Sequence, residues 1–363
     1  MQQCPYSPPR VKVPRHRNQC FRETLSWVQS LGSLKVVYAV KVHRKGLELL
    51  REKGFEVVVY SKGRVPPFEW LCKEIRDAQG LVITPIHRVN SELLRCSDKL
   101  RIVVIHGSGY ENVDLDTCEE RGVCVANEPD AIAESVAEHA LALALAVLRN
   151  VARGDRYVRS GAWREGPAPR SLIGTSLKGK TVGIVGAGRV GSAAARLFKA
   201  LGSRVVYWSR RKPELEHGVG VEYVGLEKLF EESDIVVVAV AHTPETHHMI
   251  SRSLLFRAKR GAVLVNVSRG AVIDTNALVD ALREGVIAGA GLDVFEEEPL
   301  PPTSPLASME NVVLTPHIAG YTWEAMEGTS VAVAQTLIRY LVQGVPPLNP
   351  LTPRSCGVRG ERV

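Results

Sequence analysis

The sequence predicts an α/β protein of two doubly wound parallel-sheet units. Three observations carry this. Short β-branched runs alternate with helical patterns in two successive series, and such alternation gives parallel strands with helices on both faces. A glycine-rich turn joins an apolar run to a helix at the head of the second series. The 363 residues, 45% hydrophobic and 23% charged, suit two ordinary soluble domains. This composition excludes a disordered chain, a collagen-like chain and a disulfide-stapled mini-protein. No apolar run is read as reaching the ~18 residues of a membrane span.

Residues 1–33 hold Pro5, Pro8, Pro9 and Pro14 among basic and polar residues and read as a loose extension. No apolar segment of a secretory signal follows the N-terminal charges. Order is expected from Lys35. In the first series, strands are expected at Lys35–Val40, Phe55–Tyr60, Leu81–Thr84, Arg101–His106 and Val123–Ala126. Helices are expected at Leu47–Lys53, Trp70–Ala78 and Ser91–Cys96. Ala133–Asn150 reads as one long helix, apolar nearly all round, and so buried between domains or subunits. In the second series, strands fall at Thr181–Val185, Arg204–Trp208, Ile235–Val240, Ala262–Asn266, Ile287–Leu292 and Val312–Leu314. Helices fall at Val190–Leu201, Leu226–Glu232, Arg252–Ala258 and Thr275–Glu284, and a last helix, Trp323–Val342, can return to the first unit.

Most of the net charge of +7 lies in two tails. Arg10, Lys12, Arg15, Arg17 and Arg22 face only Glu23; Arg354, Arg359 and Arg362 face only Glu361. The body between is nearly neutral, so neither a nucleic-acid nor a membrane partner is expected. Seven scattered cysteines without a C-x-x-C suggest neither a disulfide framework nor a zinc site, which favours a reducing, cytoplasmic compartment. His242, His247 and His248 lie in one loop without a third ligand at a recognised interval, and no metal is expected.

Thr181–Gly191 reads TVGIVGAGRVG. Gly186, Gly188 and Gly191, with Arg189 and Val190 between them, form G-x-G-x-x-G after a strand and at the start of a helix. The first glycine allows a tight turn, the second lets the backbone approach a pyrophosphate, and the third lets helix pack on strand. The helix N-terminus then offers N–H groups to the phosphates. An acid at the end of the next strand would bind a ribose 2′-hydroxyl. That position carries Ser209, Arg210 and Arg211 instead. Arginine binds a 2′-phosphate that an acid would repel, so NADP is expected over NAD.

Three strand-end stretches follow: NVSRG (Asn266–Gly270), LDVFEEEPL (Leu292–Leu300) and TPHIAG (Thr315–Gly320). With them the chain, from about Lys35 to Val345, resembles the D-isomer-specific 2-hydroxyacid dehydrogenase family. The resemblance implies that Arg269 binds the substrate carboxylate and carbonyl. It implies that Glu298, immediately before the proline, pairs with His317, the general acid/base. It places Asp293 near the nicotinamide amide and Thr243 beside the cofactor. It makes Ser108 and Gly109 part of a turn whose N–H groups meet the substrate carboxylate. Val267, Ser268 and Gly320 complete the expected cofactor contacts. Trp163 lies where some members pass an aromatic toward a partner's active site. Glu138 and His139 read as a polar spot in an interface.

The chemistry suits these residue types. Reducing a 2-oxo acid needs a hydride at C2 and a proton on the oxygen. Histidine donates a proton near neutral pH, and a neighbouring carboxylate favours the imidazolium. A guanidinium matches a carboxylate and polarises a carbonyl.

The expected architecture is thus two Rossmann-like domains, a cofactor domain (133–316) inserted into a flavodoxin-like substrate domain (34–132 and 317–345). A C-terminal tail (346–363) follows. The expected activity is NADP-linked reduction of a small 2-oxo acid, glyoxylate or hydroxypyruvate, by a homodimer. WSRR, NVSRG and EEPLPPTSPL resemble that branch of the family. One alternative is a D-3-phosphoglycerate dehydrogenase. Against it, Thr84-Pro85-Ile86-His87 lacks that branch's arginine, and no regulatory C-terminal domain is expected. Another is a dinucleotide-sensing interaction protein of the same fold, with the basic tails as its docking elements.

Overall fold

A computed structural model describes residues 33–63, 65–210 and 220–357. The N-terminal extension and Arg211 lie outside these residues.

The chain forms two compact units. Of the described residues, the first comprises those up to His106, Asn112–Asn127 and those from Ser330 to 357. Its strands are β1 (Lys35–Tyr38), β2 (Glu56–Val59), β3 (Gly80–Ile83), β4 (Ile102–Ile105) and β5 (Cys124–Asn127). They pair in parallel in the order β2-β1-β3-β4-β5. Every residue of β1, β3, β4 and β5 is buried, as expected of strands covered on both faces. The C-terminal part of the Trp323–Leu341 helix gives Val333, Ala334 and Leu337 to the core around Val36, Tyr38, Val82 and Val104.

The second unit comprises Gly107–Glu111 and Glu128–Thr329. Its strands are β6 (Thr181–Val185), β7 (Arg204–Trp208), β8 (Glu222–Tyr223), β9 (Ile235–Val238), β10 (Ala262–Asn266), β11 (Ile287–Leu292) and β12 (Val312–Leu314). Their order is β12-β11-β10-β9-β6-β7-β8, and all pairs are parallel. The winding reverses between β6 and β9. Open sheets of this type bind ligands at the carboxyl ends of their strands, at such a reversal. The two-residue β8 was not legible as a strand because it is too short to show a period.

The long apolar helix is shorter than expected. It ends at Leu148, Asn150 adopts φ 54°, and a second helix runs from Val151 to Arg159. Asparagine tolerates the left-handed conformation that terminates helices. The apolar stretch is nonetheless longer than the sequence reading allowed. Asp130–Leu148 spans 19 residues at a mean hydropathy of 1.6, enough to cross a membrane by length and composition alone. In the fold, Val136, Ala137, Ala140, Leu143 and Ala144 of this stretch are buried in the second unit's core. His139 Nε2 meets Thr315 Oγ1 at 2.9 Å in the site described below, while Glu138 is exposed.

The unit limits also differ from those expected, for local reasons. Asp130 pairs with Arg189, and Ser135 Oγ meets Thr322 Oγ1 at 3.0 Å. Residues 128–132 and 317–329 therefore belong to the second unit. The described part of the C-terminal segment, up to residue 357, is no free tail. Pro350 pairs antiparallel with Ala126, and Thr352 Oγ1 accepts from Val125 N at 2.7 Å. The segment covers the β5 edge of the sheet, an edge that otherwise invites foreign pairing.

The cysteine expectation is overturned. Among the described residues, Cys72 pairs with Cys96 and Cys124 with Cys356, and Cys118 is free and buried. Partners 232 residues apart leave no spacing signal in the sequence. Disulfides persist in oxidising compartments and in intracellular proteins of hyperthermophiles, so these cysteines no longer argue for a reducing one.

Candidate active site

The glycine turn follows β6 at the reversal of the sheet. Gly186 has φ 104°, and a Cβ there would meet Ala239 O at 2.6 Å. A Cβ on Gly191 would overlap the carbonyl of Gly186. Gly188 caps the helix Arg189–Ala200 without a side-chain hydrogen bond, which leaves its first N–H groups for a phosphate. The Gly186 N–H donates to Trp208 O at 2.8 Å, so the end of β7 lies against the turn. Ser209 and Arg210 follow directly. Arg210 Nη1 lies 3.9 Å from Glu245 Oε2 in an exposed pair. A hydrogen bond from Thr243 holds the Glu245 carboxyl below its usual range. These features fit a dinucleotide.

The strand-end stretches converge on one histidine. His317 Nδ1 lies 2.7 Å from Glu298 Oε2, and Glu298 Oε1 accepts from Phe295 N at 3.0 Å. Burial alone would raise the Glu298 carboxyl. The His317 and Phe295 hydrogen bonds, with the charges of His317 and Arg269, outweigh this and hold it below its usual range. Glu296 is used elsewhere: it accepts from Thr275 N at 2.9 Å, at a helix start, and meets His248 Nε2 at 2.9 Å. Geometry thus singles out Glu298 from the adjacent glutamates.

His317 has φ 55°, a left-handed backbone uncommon for a non-glycine residue. Asp293 supports it. The Asp293 carbonyl accepts from His317 N at 2.9 Å, and its carboxylate accepts from Ile318 N at 2.9 Å and Ala319 N at 2.8 Å. Thr315 Oγ1 donates to the same carboxylate at 2.6 Å, and His139 Nε2 lies 3.5 Å away. Burial would raise this carboxyl, but the hydrogen bonds from His139, Thr315, Ile318 and Ala319 outweigh it and hold it low. Asp293, expected beside the nicotinamide amide, thus directs its buried carboxylate to the His317 loop.

Arg269 follows β10. Its backbone is braced by Asn266, whose Nδ2 donates to Arg269 O at 3.0 Å and whose Oδ1 accepts from Ser268 N and Oγ at 3.0 and 2.8 Å. Gly270 packs directly on the Phe295 backbone, with no room for a Cβ. Arg269 Nε donates to Glu111 Oε1 at 2.9 Å, which brings the Gly107–Glu111 turn, with Ser108 and Gly109, to the same place. Thr243 lies in the loop after β9, where its N–H donates to Thr246 Oγ1 at 2.7 Å. Val267 is buried and Gly320 half-buried. Among the described residues no three metal-ligating side chains converge. His242 Nε2 meets His247 Nδ1 at 3.2 Å, and His247 stacks on His248.

Sequence reasoning gave no site role to Asn266, Glu111, Thr315 or His139. The first three adjoin assigned residues within their motifs; Asn266 bonds within its own, but Glu111 and Thr315 have partners far along the chain. Only the fold shows that His139, on a helix, meets the strand-end loops.

A reversal-point dinucleotide turn, with an Arg, Glu and His in loops that follow other strands of the same sheet, is the constellation of a nicotinamide-dependent dehydrogenase. The profile of the D-isomer specific 2-hydroxyacid dehydrogenase NAD binding domain matches residues 141–319. The chain belongs to the D-isomer specific 2-hydroxyacid dehydrogenase family and is an NAD(P)-dependent oxidoreductase. Within the family it is similar to glyoxylate reductases. It is 43% identical to that of Thermococcus litoralis over 317 residues, 86% of this chain and 95% of the relative. It is 44% identical to that of Pyrococcus furiosus, with 86% and 94% covered. A crystal structure of an NADPH-dependent glyoxylate/hydroxypyruvate reductase from Sinorhizobium meliloti, with NADP and malonate, superposes with a TM-score of 0.78. It is 33% identical and covers 91% of this chain and 99% of that one.

Proposed function

We propose that the protein reduces glyoxylate or hydroxypyruvate to the corresponding 2-hydroxy acid, with NADPH preferred over NADH. The His317–Glu298 contact of 2.7 Å beside Arg269 carries the reading. Glyoxylate and hydroxypyruvate are taken from the relatives named above. The bound dinucleotide supplies the hydride. Arg269 holds the substrate carboxylate and draws electron density toward the carbonyl oxygen. His317 donates the proton to that oxygen, and Glu298 orients the imidazole. In the reverse direction the same imidazole accepts the proton. The second unit is the cofactor-binding one, with the phosphates at Gly186–Gly191.

Arg210 supports the NADP preference, because it directly follows the strand that abuts the glycine turn. Its exposed pair with Glu245 is weak, so a 2′-phosphate can displace it. A panel of 2-oxo acids assayed with NADPH and NADH tests the whole reading. In Arg210→Glu, NADPH affinity should fall by an order of magnitude or more, as expected for ~2–5 kcal/mol lost with a charge pair, while NADH changes little. Unchanged NADPH affinity removes the cofactor argument, and no turnover of glyoxylate or hydroxypyruvate removes the substrate argument.

A homodimer is part of the proposal. Val151 and Val158 on the second helix, and Trp163 and Ile173 beyond it, are each more than half exposed, an apolar set of the kind subunits cover. Light scattering at micromolar concentration should report about twice the 39.7 kDa chain mass; the mass of a single chain contradicts it. A reductase that draws on NAD(P)H works where that cofactor is regenerated, which supports a cytoplasmic location.

A further inference from the structure

We infer that Glu111 is a positioning residue for Arg269, holding the guanidinium in the plane that receives the substrate carboxylate. The inference rests on the role proposed for Arg269. Arginine side chains are long, and one left loose loses its alignment for bidentate binding. Here two of its three nitrogens are held by the protein. Nε donates to Glu111 Oε1 at 2.9 Å, and Nη1 donates to Ser268 O at 2.8 Å. Nη2 lies over Gly109, in space that a Cβ would fill. The arrangement fixes the plane of the guanidinium and leaves its Nη2 edge for a ligand. A Cβ on Gly109 would also come within 2.7 Å of Glu111 Oε2, so the bare backbone at Gly109 makes room for the whole pair. Both partners are partly buried, with side-chain exposures of 25% and 31%, so the pair is screened less than a surface one.

The same contact explains why the Gly107–Glu111 turn belongs to the second unit although its flanks belong to the first. Glu111 would thus set two substrate-binding elements in register, the Arg269 side chain and the turn that carries Ser108 and Gly109.

The test compares Glu111→Ala, Glu111→Gln, Arg269→Ala and the Glu111→Ala/Arg269→Ala double variant, using glyoxylate and NADPH. Glu111→Ala should lower kcat/KM by about 10–100-fold, as small misplacements of catalytic groups do, with KM raised as well as kcat lowered. Glu111→Gln keeps an acceptor for Nε and should restore kcat/KM to within about threefold of wild type. In the Arg269→Ala background the loss of Glu111 should add little. NADPH affinity, read by nucleotide fluorescence, should be unchanged throughout. A merely structural role would lower kcat in step with the folded fraction and leave KM alone. If Arg269→Ala is impaired while Glu111→Ala is unaffected or shows a lower KM, the positioning role is wrong. Additive losses in the double variant also overturn it. If wild type fails to turn over glyoxylate, or Arg269→Ala behaves like wild type, the reading of the site itself is at fault.

Discussion

Replacing His317 by alanine should lower kcat for reduction by roughly 10²–10⁴, the usual contribution of a positioned general acid, with NADPH binding nearly kept. The imidazole is the group there that pairs with the Glu298 carboxylate, and an imidazole can both donate and accept a proton. Its partner gives the sharper test. The Glu298 carboxyl sits below its usual range, so it remains ionised at and well below neutral pH. By linkage, whatever the ionised pair contributes is fully present above the ordinary carboxylate range. It is lost only as the pH falls through the lowered folded value. The ionised carboxylate at 2.7 Å orients the imidazole that donates during reduction. Reduction should therefore hold while Glu298 is ionised and fall along an acid limb set by its lowered value. Glu298→Gln keeps the shape and removes the charge, so kcat should fall and that acid limb disappear, while KM changes less because Arg269 still holds the carboxylate. Glu297→Gln, at an exposed position, is the control. An acid limb lost with Glu297 and not Glu298 reverses the assignment, and one lost with neither defeats the paired acid/base account.

Removing the Cys124–Cys356 bond should cost the first unit about 3–5 kcal/mol, because it closes a loop of 232 residues whose unfolded freedom is large. The bond joins β5 to the segment that covers the edge of the sheet. Cys124 and Cys356 are 0% and 2% exposed, so mild reductant should act slowly on the native fold. Cys356→Ala is the cleaner variant. Leu351 N still donates to Val125 O at 2.7 Å, and Arg354 Nε to Glu119 Oε1 at 3.1 Å. The segment should therefore stay docked in the native state, with the loss expressed in unfolding. Urea titration should show a lower midpoint for the first unit and an unchanged transition for the second. A Cys356→Ala variant with the wild-type midpoint would show that the hydrogen bonds alone secure the segment. Loss of turnover at full stability would instead tie the segment to the site.

The acid/base experiment depends on residues that local sequence marked well. The glycines of TVGIVGAGRVG, the histidine of TPHIAG and the glutamate before Pro299 stand in short windows whose chemistry is local. A tight turn needs glycine wherever it occurs, and a strand end carries its reactive residue within a few positions. The parallel strands were legible for the same reason. Their β-branched runs are buried on both faces, so composition alone declares them, and β6, β7, β10, β11 and β12 begin and end where expected.

What lies across the fold was not legible. Glu111 and Arg269 are 158 residues apart, His139 and Thr315 are 176 apart, and the Cys124–Cys356 bond spans more still. No pattern along a chain relates such positions, because their meeting depends on which strands pair and which helix covers them. Even a local detail, the break of the apolar helix at Asn150, took its meaning from the fold. Periodicity continued to Asn150, but the backbone turned there into the left-handed region. The sequence by itself determined the strands, the nucleotide turn and the chemical types at the site. Tertiary structure decided that Glu296 turns to Thr275 and His248, that Asp293 supports the His317 loop, and that Glu111 holds Arg269. It did so because a hydrogen bond is fixed by position in space, and distant positions are set only when the whole sheet closes.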